Sequence, residues 1–206
     1  MTNILIEAKC ERTPECHFLR AVINRIRPQC EIKFIFMDGI GNLFKETILN
    51  QIRQAALTGE GIILLADADT VAKGYGFARR NKEIDEGMKK NNISVDYFLY
   101  PDHGSDGDVE TLMESTARRD LHGVFFDCYE DYESCVSGVK DENGQPRYNT
   151  PNRKGKLHTY ITAQELSNEE RKHCGSGNWL FDSPLYWNLA HPALTPLKTF
   201  LINHLR

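Results

Sequence analysis

The sequence has no apolar run approaching the ~18 residues that a membrane-spanning helix needs, which argues against a membrane partner. It has no CxxC pair among Cys10, Cys16, Cys30, Cys128, Cys135 and Cys174, and so lacks the usual zinc-ribbon and thioredoxin spacings. Its start, Met1-Thr2-Asn3, leads into a short apolar strand rather than a basic region and a long apolar one. The thiols are therefore expected to be reduced and the chain cytoplasmic. Nothing of the form G-x-x-x-x-G-K-[ST] occurs, which removes P-loop chemistry. His103, His122, His158, His173 and His191 show no metal-ligand spacing. Positive charge is not in excess, with 25 basic against 29 acidic residues and a net charge of −4. Non-specific nucleic-acid binders are more basic, although a bound cation would invert the sign locally.

What is present is ordinary for a globular domain: 206 residues, 40% of them hydrophobic and 26% charged, enough to bury a core without disulfides. The first half alternates strand and helix. Residues 3–7 (NILIE) form a short apolar run. Thr13 is placed to cap a helix whose first turn holds Pro14 and Glu15, and Phe18, Leu19, Val22, Ile23 and Ile26 follow helical spacing. A second strand is expected over 31–37 and a second helix over 42–57, ended by Gly59. Residues 61–66 are the most hydrophobic segment, and the absence of alternation predicts a central parallel strand covered on both faces. A helix over 77–91, a strand over 94–100 and a helix from Asp108 complete a βαβαβαβα order. That order predicts a parallel sheet with right-handed crossovers.

After Arg118 the pattern loosens. Residues 121–136 read as a helix, 137–156 as a long loop, 157–163 as a helix or short strand, 175–187 as irregular and 194–205 as a closing helix. Trp179, Phe181, Tyr186 and Trp187 form an aromatic group suited to covering an edge, with base stacking as the alternative. The expected organisation is a metal-binding core over 1–118 and an α-rich extension over 119–206 on the same domain.

Ligands of open parallel sheets sit beyond the carboxyl ends of the strands. Glu7 closes the first strand, Asp67 and Asp69 the third, and Asp106, Asp108 and Glu110 follow the fourth. Converging carboxylates repel by roughly 4 kcal/mol per close pair at an effective dielectric near 20, and a hard cation such as Mg²⁺ relieves this. If the third strand continues through Asp67-Ala68-Asp69, both carboxylates share one side, with small Ala66 and Ala68 leaving room. The plainer alternative is that Asp69-Thr70 only caps the next segment. For Glu11 it is a solvated acid near a helix N-terminus, and for Lys154 and Lys156 a solvated loop.

Leu5-Ile6-Glu7-Ala8-Lys9 and Leu64-Leu65-Ala66-Asp67-Ala68-Asp69-Thr70 together resemble the two motifs of TOPRIM domains. Within that group the chain is most similar to small bacterial relatives of the OLD (overcoming lysogenization defect) nucleases. Pro101 through Gly107, Glu110 and Leu112, and the closing Pro196-Leu197-Lys198-Thr199-Phe200-Leu201, carry that similarity. Ala8 stands where Gly is common. The resemblance implies a four-stranded parallel TOPRIM-like sheet and Mg²⁺ (or Mn²⁺). It implies Glu7, Asp67 and Asp69 as primary ligands, Glu11 and Glu110 as further ligands, and Thr70 on a ligand water. Catalytic roles fall to Glu7 and to Lys156, with Lys154 as second candidate. The implied activity is hydrolysis of nucleic-acid phosphodiesters. A non-catalytic metal- or nucleotide-binding module acting with a protein partner, and phosphoryl transfer on a small nucleotide, are the alternatives.

Overall fold

The computed structural model describes residues 1–205, so Arg206, the end of the expected extension, lies outside the described residues. Four strands, β1 (Thr2–Ile6), β2 (Ile32–Phe36), β3 (Gly61–Asp67) and β4 (Asp96–Tyr100), form one parallel sheet in the order β2-β1-β3-β4. The expected α/β fold is present: helices α1 (Pro14–Ile26), α2 (Glu46–Thr58) and α3 (Phe77–Asn91) make the crossovers, and α4 (Val109–Thr116) follows β4.

The local chemistry explains these elements. Thr13 accepts the Cys16 N–H at the start of α1, with Pro14 just inside, as the capping preferences require. Gly59, at φ +72°, ends α2 in a left-handed turn that a side chain would strain. The apolar residues of β1 and β3 alternate between two cores because successive side chains face opposite ways. Ile4, Ile6, Ile63 and Leu65 pack with α1. Leu5, Leu64 and Ala66 pack on the other face with Ile48, Ile52, Ile84 and Met88 of α2 and α3. Each such side chain, fully buried, contributes about 1.5–3 kcal/mol.

The C-terminal segment is helical: α5 (Arg119–Ser137), α6 (Arg153–Thr162), α7 (Asn168–Gly175) and α8 (Thr195–His204) bring the described total to eight α-helices. Its apolar residues join the α1-side core, where Trp187, Phe181 and Trp179 are buried with Phe18. The aromatic group therefore packs inside, and the Trp187 indole donates to the Trp179 carbonyl at 2.7 Å. Two local readings need correction. The expected loop over 137–156 ends at Asn152, whose side chain caps α6, so Lys154 and Lys156 are helical. Helix α7 was not foreseen, although Ser167 and Glu170 form a reciprocal capping box at its start.

One geometric consequence dominates. From β1 the chain crosses to β2 on one side, and β3 lies on the other. The sheet therefore has its topological switch between β1 and β3, and the crevice expected there opens at their carboxyl ends. Glu7 and Asp67 stand at that mouth.

Leu64→Ala empties a fully buried site in the α2–α3 core. It should lower unfolding free energy by about 2–5 kcal/mol, read from the midpoint of a urea titration.

Candidate metal centre

The Glu7 carboxylate is held by two backbone donors from separate segments. Asp67 N–H donates to Oε1 at 2.8 Å, and Ile40 N–H, in the turn after β2, donates to Oε2 at 3.1 Å. Burial pushes its pKa up, and these hydrogen bonds only partly oppose that. Asp67 accepts the N–H of Val109, the first residue of α4, at 2.8 Å, so a helix N-terminus faces it. Burial, then the charges of Glu7, Glu110 and Glu15, still hold the Asp67 carboxyl well above the usual range.

Glu15 completes this inner group. It lies in the first turn of α1 and receives the Ala8 N–H. Burial, then Glu7 and Glu110, push its carboxyl up to about 8, with Lys154 opposing. Sequence reasoning took Glu15 only as an acid suited to a helix start. The available signal was position: α1 follows β1, so its first turn borders the crevice. Glu110, in the first turn of α4, lies close enough to raise both Asp67 and Glu15, and Lys154 stands 3.8 Å from it. The Tyr100 hydroxyl is buried without a hydrogen-bond partner. Burial, then Glu15 and Asp67, push its pKa up.

Asp69 belongs to a different arrangement. β3 ends at Asp67, and Asp69 adopts a left-handed backbone at φ +59°. Its carboxylate pairs with Arg80 at 2.9 Å and Lys73 at 3.3 Å. The strand thus does not continue through the acidic pair, and the two side chains take different partners. Arg80 is buried, stacks on Tyr75 at 4.1 Å and also bonds Glu83. Gly74-Tyr75-Gly76 is a turn, and the start of α3 is capped by Asp106, which accepts the Phe77 N–H at 2.7 Å. Thr70 precedes a 3₁₀ turn (Val71–Lys73) and makes no side-chain cap.

The remaining expected residues lie farther out. Glu11 is exposed and pairs with Arg20 at 2.8 Å. Lys156 is buried against α4 and α5, its ammonium 3.0 Å from Glu114 and 3.7 Å from both Glu130 and Glu133. Of the two lysines, Lys154 is the one beside Glu110. Arg153 bonds both Asp108, the cap of α4, and Glu114. Burial would raise Asp108, but Thr111 and the charges of Arg153 and Lys73 win and hold it below its usual value.

Chemically the inner group fits a hard cation, since its donors are all oxygens and its negative charge is poorly compensated. Each carboxylate oxygen that accepts one N–H keeps a second lone pair. As the side chains stand, no group of three or more His, Cys, Asp or Glu among the described residues is positioned to grip a metal. No family model, curated protein or solved structure matches the chain.

Glu7, Glu15 and Asp67 hold protons more tightly in the fold than in the unfolded chain. The folded state then binds more protons, so stability falls as pH rises. For Glu15 the window runs from 4.5 to about 8. In chelator, the melting temperature should decline across that window, and Glu15→Gln should flatten the decline. A melting temperature that climbs there contradicts this charge assignment.

Proposed function

We propose that the chain is a metal-dependent phosphodiesterase of TOPRIM type, related to the OLD nucleases and acting on nucleic acid. The observation that carries this reading is the placement of Glu7 and Asp67 at the carboxyl ends of β1 and β3, joined by the Asp67 N–H to Glu7, with buried Glu15 in the first turn of the next helix; burial raises the proton affinity of all three. An uncompensated anionic cluster at a ligand-binding crevice is neutralised by cations or by protons, and Mg²⁺ or Mn²⁺ supplies the first. Glu7, Asp67 and Glu110 would hold the ion, with Glu15 as a further oxygen donor. The Tyr100 hydroxyl, buried without a partner, lies under the influence of the same acids, Glu15 and Asp67.

The chemistry that such an ion would supply, when bound, is activation of a water and stabilisation of charge on the phosphate oxygens. Glu15 is suited to hold a proton near neutral pH. Lys154 brings a cation beside Glu110 for the charge developing on phosphate. Lys156, the lysine first expected in that role, acts through Glu114 to brace α4. Asp69 keeps Arg80 and Lys73 at the edge of the site. Glu11 would enter only by leaving Arg20.

A non-catalytic binding module working with a partner protein is the second reading. It is favoured by the Asp69–Arg80 pair, which occupies one expected ligand with a fixed cation. Cys10, Cys16, Cys128, Cys135 and Cys174 are free thiols, which supports a reducing, cytoplasmic setting. No helix among the described residues is long and apolar enough to cross a membrane.

A plasmid-nicking assay with Mg²⁺ or Mn²⁺, paired with calorimetric metal titration, tests the reading. The wild type should nick. Asp67→Ala should abolish nicking and weaken metal affinity by more than the roughly 10-fold of an outer-sphere change. Metal binding without cleavage of any DNA or RNA would favour the binding module. Unchanged metal affinity in Asp67→Ala would remove the premise of both readings.

A further inference from the structure

A second concavity adjoins the acidic site. It lies between the turn at residues 40–44 and α3 and encloses about 340 Å³. Ile40, Leu43, Phe44 and Ile84 give it apolar walls, and Arg80, Glu83, Lys90 and Asn91 supply its polar lining. The volume is at the small end of the range for small-molecule pockets, and apolar walls stand beside polar and charged side chains.

Two lining residues also touch acids near the strand ends, one of the inner group and one outside it. Ile40 donates its N–H to Glu7, and Arg80 pairs with Asp69. The pocket wall at Ile40 is therefore one hydrogen bond away from Glu7. The chemistry of an occupant follows from the walls. The terminal nitrogens of Arg80 are already bonded to Asp69 and Glu83, so the guanidinium is neutralised and does not call for an anion within the pocket. Its Nε–H is buried without a partner. Asn91 donates its amide N–H to Gly87 O, which leaves its amide oxygen to accept at the rim. Phe44 is seated in a notch made by Gly87: a Cβ there would lie 2.1 Å from the ring. The absent side chain thus fixes an aromatic wall. A flat, mostly apolar ring with polar edges matches such a slot, because aromatic walls stack on any base.

We propose that this pocket receives a purine or pyrimidine base of a nucleotide whose phosphate lies at the Glu7–Asp67 cluster. The phosphate half of the statement rests on the function proposed above, while the base half does not. The base stacks against Phe44 and the apolar floor of Leu43 and Ile84, and Asn91 accepts from its edge. The pocket then selects nucleic acid over other phosphodiesters and sets which nucleotide lies beside the acids.

The test uses the ¹⁵N-labelled full chain, titrated by NMR with adenosine in chelator and then with adenosine 5′-monophosphate with and without Mg²⁺. Adenosine should shift the amides of Ile40, Phe44, Gly87 and Asn91. Phe44→Leu should weaken that binding about tenfold, the loss of one stacked base. Asn91→Ala, at the surface, should weaken it several-fold and covers the case in which Phe44→Leu does not fold. Asp67→Asn should leave adenosine binding intact and remove any gain from Mg²⁺ with the monophosphate. Shifts that miss these four amides, or wild-type binding in both pocket variants, overturn the proposal. Normal adenosine binding with no gain from Mg²⁺ supports the pocket and counts against the metal reading instead.

Discussion

The Glu7 carboxylate takes one backbone N–H from the end of β3 and another from the turn after β2. A single anion therefore spans the switch point of the sheet, at the place where the two halves of the crossover pattern diverge. Removing it would leave two donors without an acceptor and the mouth without its tie. Burial makes this role costly, because the carboxylate gives up water for only two amide dipoles. The two segments are tied together by a group that itself resists being charged there.

From that tie the electrostatics divide into two zones. Inside, Glu7, Glu15 and Asp67 stand with backbone donors as their main support. Outside, Asp69, Asp108 and Glu114 are paired with Arg80, Lys73, Arg153 and Lys156. Acids of the same type thus behave differently according to whether a long basic side chain can reach them. α4 joins the zones, since Val109 donates to Asp67 while Asp108 and Glu114 engage the basic start of α6. Helix packing on one side of the molecule is in this way tied to the position of a carboxylate at the crevice.

The parallel order was legible because its signals are local and redundant. The unalternating run before Asp67, the Thr13-Pro14 start and the Gly59 stop each specify one element without knowledge of the others. Glu7, Asp67 and Glu110 were legible for a topological reason, as acids just beyond strand ends. Glu15 and Arg80 were not, because a polar residue in a first helical turn reads the same whether it faces water or a crevice. Lys156 was placed at the wrong depth when 137–156 was read as loop; the Asn152 cap turns it into a helical residue aimed at Glu114. Asp67 and Asp69 diverge where β3 ends and Asp69 takes a left-handed φ angle, which side-chain alternation cannot foresee.

That angle bears on how the position can change over generations. Aspartate and asparagine tolerate a left-handed backbone far better than most residues, and only aspartate of the two can also hold Arg80 and Lys73. Position 69 is thus filtered by shape and by charge independently. A drift to asparagine keeps the turn and gives up the ion pairs, whereas a drift to glutamate keeps the charge and strains the turn. The first path is the shorter route by which a lineage could retain this scaffold while abandoning whatever its charge was for.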